Sequence, residues 1–193
     1  MLWKGDGMGW YESVGDGIFE ALCAAFGYDP ESADALARFV PAYVEDTETP
    51  QAPRNVNLCY YNIESYQGDS TLDYIMHKQV VSKGQTKTEI KKTVPCSVLI
   101  TFYGPSADDD AEEFWSLFQW DNGVNSPRAV LRKLNIVPIG TPARPVSLFE
   151  VEGTFQRRRS DVRVNLAYLD ISEHDSSEVN TPPEVVVRSQ TNN

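Results

Sequence analysis

The sequence predicts an α+β fold: a largely antiparallel sheet with two or more helices packed on it, an N-terminal helical segment and flexible termini. Three observations carry that expectation. Apolar residues recur at helical spacing between positions 14 and 40. Runs rich in Val, Ile, Leu and Tyr fill much of 56–103. Val162, Val164, Leu166 and Tyr168 alternate with Arg163, Asn165, Ala167 and Leu169, the period of a strand. A chain of 193 residues is long enough for one self-sufficient core. The expected organisation is an irregular arm over 1–13, a single domain over 14–172 and a flexible tail over 173–193.

The arm holds Gly5, Gly7 and Gly9 among Trp3, Trp10 and Tyr11. Its glycine spacing is not that of a phosphate loop, and no strand precedes it. Val14, Ile18, Leu22 and Ala25 then mark a helix, with Gly27 as its stop. Asp29 and Pro30 open a second helix as N-cap and first position, and Ala33, Leu36, Ala37 and Val40 continue its stripe to Pro41. A helical hairpin over 14–40 follows from this. Three prolines over 41–55 make that stretch an extended connector.

Residues 56–66, 71–82, 86–93 and 94–103 read as a meander of three or four antiparallel strands. The last has Val98, Ile100 and Phe102 on one face and Leu99, Thr101 and Tyr103 on the other, so a helix or another subunit should cover it. Ser106 is the expected N-cap of the next helix, and Asp108, Asp109 and Asp110 in its first turn suit the helix dipole. Ala107, Ala111, Phe114 or Trp115, and Phe118 form its apolar face. Ser126-Pro127 opens a further helix carrying Val130, Leu131 and Leu134. A short strand over 135–139 ends at Gly140. Another is expected over 146–149, interrupted or flanked by the segment 154–161 that contains Arg157-Arg158-Arg159. Pro182-Pro183 and a polar composition make 173–193 a mobile tail.

Charge and composition exclude several function classes. The chain has 17 basic and 28 acidic residues, a formal net charge of −11. Generic DNA affinity comes mainly from Lys and Arg displacing counterions, so this balance opposes tight binding. The acids concentrate in residues 1–54, with ten against three bases. Apolar runs are far shorter than the ~20 residues a membrane helix needs, and the first residues lack the apolar stretch of a secretory signal. Cys23, Cys59 and Cys96 are odd in number and widely spaced, which fits reduced, buried thiols in a cytosolic folding compartment. His77 and His174 have no second ligand at metal-binding spacing. The acidic run 108–113 lacks the alternation that wraps calcium. No nucleophile, Walker or zinc-protease pattern occurs, so no catalytic residue, metal or cofactor is expected.

The candidate functional residues are therefore those of an interface: Trp3, Trp10, Trp120, Arg157, Arg158 and Arg159. Trp120 sits beside the helix-ending Asp121-Asn122-Gly123, where partial exposure would let it anchor a contact. In a strand, the three arginines alternate faces, so at most Arg157 and Arg159 act together.

The order of these features resembles the neck or tail terminator proteins of tailed bacteriophages. The matching segments are Thr47-Glu48-Thr49-Pro50-Gln51-Ala52-Pro53 before Leu58, and Ile100-Thr101-Phe102-Tyr103-Gly104-Pro105 with Ala107 and Ala111. They continue with Arg128-Ala129-Val130-Leu131, then Asn135-Ile136-Val137-Pro138-Ile139-Gly140. The last is Gln156-Arg157-Arg158-Arg159-Ser160-Asp161-Val162 leading to Leu166-Ala167-Tyr168. The resemblance spans about 14–172 and implies a non-enzymatic virion protein. Such a protein forms a ring, usually six-fold, at the head-proximal end of the tail. The partners implied are further copies of itself, the tail tube or sheath protein, and the connector or head-completion protein. DNA would pass through the lumen without specific binding, and assembly would occur in the host bacterial cytoplasm. A second reading keeps the virion and moves the position, to another neck or tail-completion adaptor or a baseplate component. A third, from another class, is a nucleic-acid-binding module built on Lys83, Lys87, Lys91, Lys92 and Arg157 to Arg159, which the net charge opposes.

Overall fold

A computed structural model of the chain describes residues 10–42, 55–65, 75–82, 85–120, 123, 126–152 and 155–175. Residues 1–9 of the expected arm, 43–54 of the connector expected over 41–55, the turn expected over 67–70 and 176–193 of the tail expected over 173–193 lie outside the described residues, and Trp3 is among them. Residues 173–175 are not tail but the end of a strand, because each pairs across a sheet.

Four helices pack on one sheet, which is the expected α+β class. Helix α1 spans Trp10–Phe26 and α2 spans Ala33–Arg38. Strands β1 (Phe39–Pro41), β2 (Leu58–Ser65), β3 (Ile75–Ser82) and β4 (Gln85–Tyr103) follow. Helices α3 (Ala107–Gln119) and α4 (Pro127–Lys133) come next, then β5 (Ile136–Pro138), β6 (Val146–Glu152) and β7 (Phe155–Asp175). The strand order is β1-β2-β4-β7-β5, with β3 also on β4 and β6 also on β7. Among the described residues, only the β1–β2 pair is parallel.

The expected helical hairpin over 14–40 is present only in part: α1 starts at Trp10, so residues 10–13 are helical rather than part of an irregular arm, and α2 ends at Arg38, where Phe39 to Pro41 pair with β2 as a strand. The expected second stripe is corrected too, because Ala33, Leu36 and Ala37 are exposed and Ala35 is the residue of α2 that is buried. Tyr11, Glu12 and Ser13 are ordinary helix residues with no breaker after Gly9. Ser32 rather than Asp29 caps α2; its hydroxyl accepts from the Ala35 N–H. Asp29 instead closes the preceding turn by accepting from the Glu31 N–H.

The expected meander is corrected by the register. Residues 85–103 form one strand, and β2 pairs with its second half while β3 pairs with its first. β2 and β3 thus lie end to end along the same edge of β4. Pro95 falls between the last β2 pair, Ser65 with Cys96, and the first β3 pair, Ile75 with Lys92. That gap is where a missing N–H interrupts neither flanking ladder, which is how a proline survives inside a 19-residue strand.

The arginine cluster likewise does not interrupt a strand. It lies inside β7, a strand of 21 residues that pairs with β4 from Arg159 opposite Tyr103 to Asp175 opposite Lys87. At a rise of ~3.3 Å per residue, this single ladder is roughly 50 Å long.

One half of the ladder is covered. Cys96, Val98, Ile100 and Phe102 of β4 share a face with Val162, Val164 and Leu166 of β7, and all are buried. α3 lies on this face through Ala107, Ala111, Phe114 and Phe118. The Phe114 ring meets Phe102 at 6.1 Å and Phe118 at 5.6 Å. α1 contributes Val14, Ile18 and Leu22, fully buried, and packs against α4. Each such side chain contributes about 2 kcal/mol by leaving water. α1 sits close on both α4 and β5: a Cβ on Gly17 would overlap Ile136 Cδ1 of β5 and come within 3.4 Å of Leu131 of α4. At the edge, Arg38 bridges to Asp110 at 2.7 Å while its guanidinium lies over Phe26, Tyr28 and Phe39. Burial nevertheless raises the Asp110 carboxyl above its ordinary value, against the lowering effect of Arg38.

Ser126 caps α4 as expected, accepting from the Ala129 N–H, with Pro127 at its start. Ser106 does not cap α3 with its side chain. Its hydroxyl accepts from Asn57 Nδ2, and its N–H donates to Asn57 Oδ1. This two-way clasp ties the start of α3 to the approach to β2.

Candidate functional site

The face of the sheet opposite the helices is polar and aromatic. Tyr60 of β2 and Tyr103 of β4 meet edge to face at 5.8 Å. The Arg157 guanidinium stacks over Tyr103 at 4.2 Å, a geometry in which the cation meets the negative face of the ring. The Tyr103 hydroxyl donates to Glu150 Oε2 at 2.9 Å. Burial first, and that bond second, push the phenol up to about 12.

Alternation in β7 sorts the arginines as the sequence predicts. Arg157 and Arg159 point to the open face. Arg158 points to the helix side, where Nε lies 3.6 Å from Asp108 of α3. Arg159 makes two bonds of 2.8 Å to Asp161, and this pairing holds its guanidinium protonated above the ordinary arginine range. Arg163 pairs with Glu64 on β2. The structure thus does not gather the three arginines into one basic patch. Two of them are neutralised by carboxylates within the fold. Arg157 keeps Nε and Nη2 buried without a hydrogen-bond partner.

Gly104 ends β4 at φ +109, and a side chain there would strike the Val56 carbonyl at 2.6 Å. β4 leaves the sheet at this point, while β7 runs on toward its start paired only with β6. The result is a notch of about 260 Å³ lined by Gly104, Pro105, Gln156, Arg157 and Arg158. Beyond it stands the β6–β7 hairpin. β6 is three residues longer than expected, and its residues 146–151 are all exposed. Val146, Leu148, Phe149 and Val151 are 55%, 42%, 66% and 69% exposed.

Of the expected interface residues, Trp120 is exposed at 66% at the end of α3, and Leu117 nearby is also exposed. Trp10, at the start of α1, is exposed and meets Tyr11 at 5.9 Å. The structure does not bring Trp10, Trp120 and the arginines together. Trp120 ends a helix on one side of the sheet, and Arg157 and Arg159 lie on the other. The strongest apolar surface, β6, was not among the expected interface residues. Its signal was present: Val-Ser-Leu-Phe-Glu-Val is apolar at both parities, which a strand buried on neither face has no internal reason to be.

No group of three or more His, Cys, Asp or Glu that could hold a metal occurs among the described residues. The three thiols are buried, and burial raises all of them, Cys23 and Cys96 to about 11. They remain protonated at neutral pH and are poor nucleophiles. No helix among the described residues is long and apolar enough to cross a membrane.

No curated protein matches the chain. A family model described as phage neck terminator protein matches residues 31–190, which includes β1 to β7, α2 to α4 and most of the chain beyond Asp175. With an exposed apolar hairpin, a sheet face bearing Tyr and Arg, and thiols sealed in the core, the chain carries the surfaces of a virion structural protein and belongs to the phage neck terminator protein family.

Proposed function

We propose that the protein forms a closed ring, six-fold, at the head-proximal end of the phage tail, where it ends growth of the tail tube and joins the tube to the connector. The observation that carries this reading is the family match over 31–190. The surfaces support it. β6 offers an apolar edge and Trp120 an apolar anchor, placed apart as contacts to different neighbours require. The proposed partners are copies of the chain, the tail tube or sheath protein, and the connector or head-completion protein. The protein works by contact rather than catalysis, and its net charge of −11 suits a channel that lets DNA slide past.

The nucleic-acid reading has less support, because Arg158, Arg159 and Arg163 each face a carboxylate of the same chain. The test is electron microscopy of purified phage carrying a labelled copy, with light scattering of the purified protein. Label at the head–tail junction and a particle of six protomers are the expected results. Label at the distal tail end would favour the baseplate or completion reading, and a steeply salt-dependent DNA affinity would favour nucleic-acid binding.

A further inference from the structure

Among the described residues the sheet has two long edges that no further strand pairs, and they complement each other. β6 pairs only with β7, and β3 pairs only with β4. Among the described residues, no other backbone hydrogen bond reaches either strand. A free edge of this kind presents a row of unused N–H and C=O groups, and monomeric proteins blunt it with charge, proline or cover. β6 has none of these along 146–151 apart from Glu150, and its apolar side chains stand exposed on both faces.

The two edges match in length, with seven residues in β6 and eight in β3. They are opposite in charge. β6 carries Glu150 and Glu152 and no base, while β3 carries Lys78 and His77 and no acid. They also lie at opposite ends of the roughly 50 Å β4–β7 ladder and on opposite sides of it, β3 beyond β4 and β6 beyond β7. Within one chain they cannot meet. Between two chains, joining them makes a head-to-tail contact in which each copy keeps one further edge free, and such a contact closes into a ring when the rotation permits.

We infer that the outer edge of β6 takes β3 of a second copy as an added strand. Backbone bonds supply the register, and burial of Phe149 and Val151 against the incoming chain supplies the affinity. This rests on the proposed self-assembly and names its junction.

The experiment uses the full chain and two blocked variants. Phe149→Lys with Val151→Lys charges the β6 edge. Val80→Glu with Val81→Glu gives β3 the charge sign of β6. Circular dichroism and thermal melting check folding; if the first pair fails to fold, Val151→Lys alone, at a 69% exposed site, carries the test. Light scattering then reads the mass against the 21.6 kDa protomer. Each variant alone is expected to stay monomeric, with the concentration for half-assembly raised at least ~100-fold. Mixed together, the two keep one good junction, so a heterodimer and nothing larger should form. Rings formed by either variant as by wild type, or a mixture that stays wholly monomeric, would overturn the β6–β3 junction while leaving self-assembly standing. A wild-type chain that never assembles would overturn the self-assembly reading, and the junction with it.

Discussion

The β4–β7 ladder is one continuous structure whose two halves are held by different forces. From Cys96 to Phe102, alternate residues are fully or almost fully buried under α1 and α3. From Lys87 to Val94, the same two strands carry on with β3 beside them. There Ile90 is half-buried, Lys92 and Asp170 face each other exposed, and Ile171 is 42% exposed. The covered half gains its stability from apolar burial. The projecting half depends on backbone pairing and cross-strand contacts, each worth only ~0.2–1 kcal/mol. The difference teaches where the molecule keeps its fold and where it keeps surface to give away. Its core sits at one end of a long ribbon, and the free edges lie toward the two ends.

The largest test of that contrast is truncation in each half. Phe114→Ala removes a fully buried ring packed on Phe102 and Phe118 and should destabilise by about 3–5 kcal/mol. Ile171→Ala in the projecting half should cost under ~1 kcal/mol, as suits a partly exposed site. Urea unfolding measures both, and similar losses would break the comparison. Next is Gly104→Ala, at the point where β4 leaves the sheet. Its φ of +109 and the 2.6 Å approach to the Val56 carbonyl leave no room for a methyl group, so a loss of at least ~2 kcal/mol is expected. A thermal midpoint close to wild type would refute that account of the notch.

Alkaline pH sharpens the contrast from another side, because the raised thiols Cys23 and Cys96 lie in the covered half and the raised phenol Tyr103 on the open face at its end. Cys23 and Cys96 ionise near 11 in the folded protein against an ordinary 9.0, and Tyr103 near 12 against 10.0, with burial the leading cause. As pH climbs through 9, the unfolded chain gives up these protons first. It then holds fewer protons than the folded state, so stability falls with rising pH until the folded groups also titrate. Urea midpoints should be flat in this respect below pH 8 and drop between about pH 9 and 11; a constant midpoint would contradict the sealed core. The smallest effect separates two serines in the base. Ser126→Ala removes a real helix cap and should cost ~1 kcal/mol. Ser106→Ala removes only one partner of Asn57 and should cost about half as much. Equal losses would mean that Ser106 acts as a cap after all.

Much of the fold was legible because period and punctuation agree locally. The stripe of α3, the Ser126-Pro127 start and the alternation of 162–169 each follow from contacts within a few residues. The pairing of β2 with the far half of β4 was not legible, because strand order depends on contacts between residues more than thirty apart in sequence, such as Cys59 with Phe102. The site divides in the same way. Alternation alone separates Arg158 from Arg157 and Arg159. That Arg159 and Arg163 are satisfied within the chain depends on Asp161 and Glu64 lying beside them. The prominence of β6 was missed because a run apolar at both parities reads equally as a buried strand.

The sequence by itself determined the helices, the strand-forming segments, the burial of the thiols and the order of motifs that marks the family. These depend on propensity, period and composition, which act over short stretches of chain. The tertiary structure alone decided that β4 is one strand with Pro95 in a gap, that Arg158 and Arg159 meet carboxylates within the fold, and that β6 and β3 end as edges no further described strand pairs. Those outcomes depend on which distant segments pair and which surfaces the helices are too few to cover. A local pattern carries no information about its neighbour across the sheet.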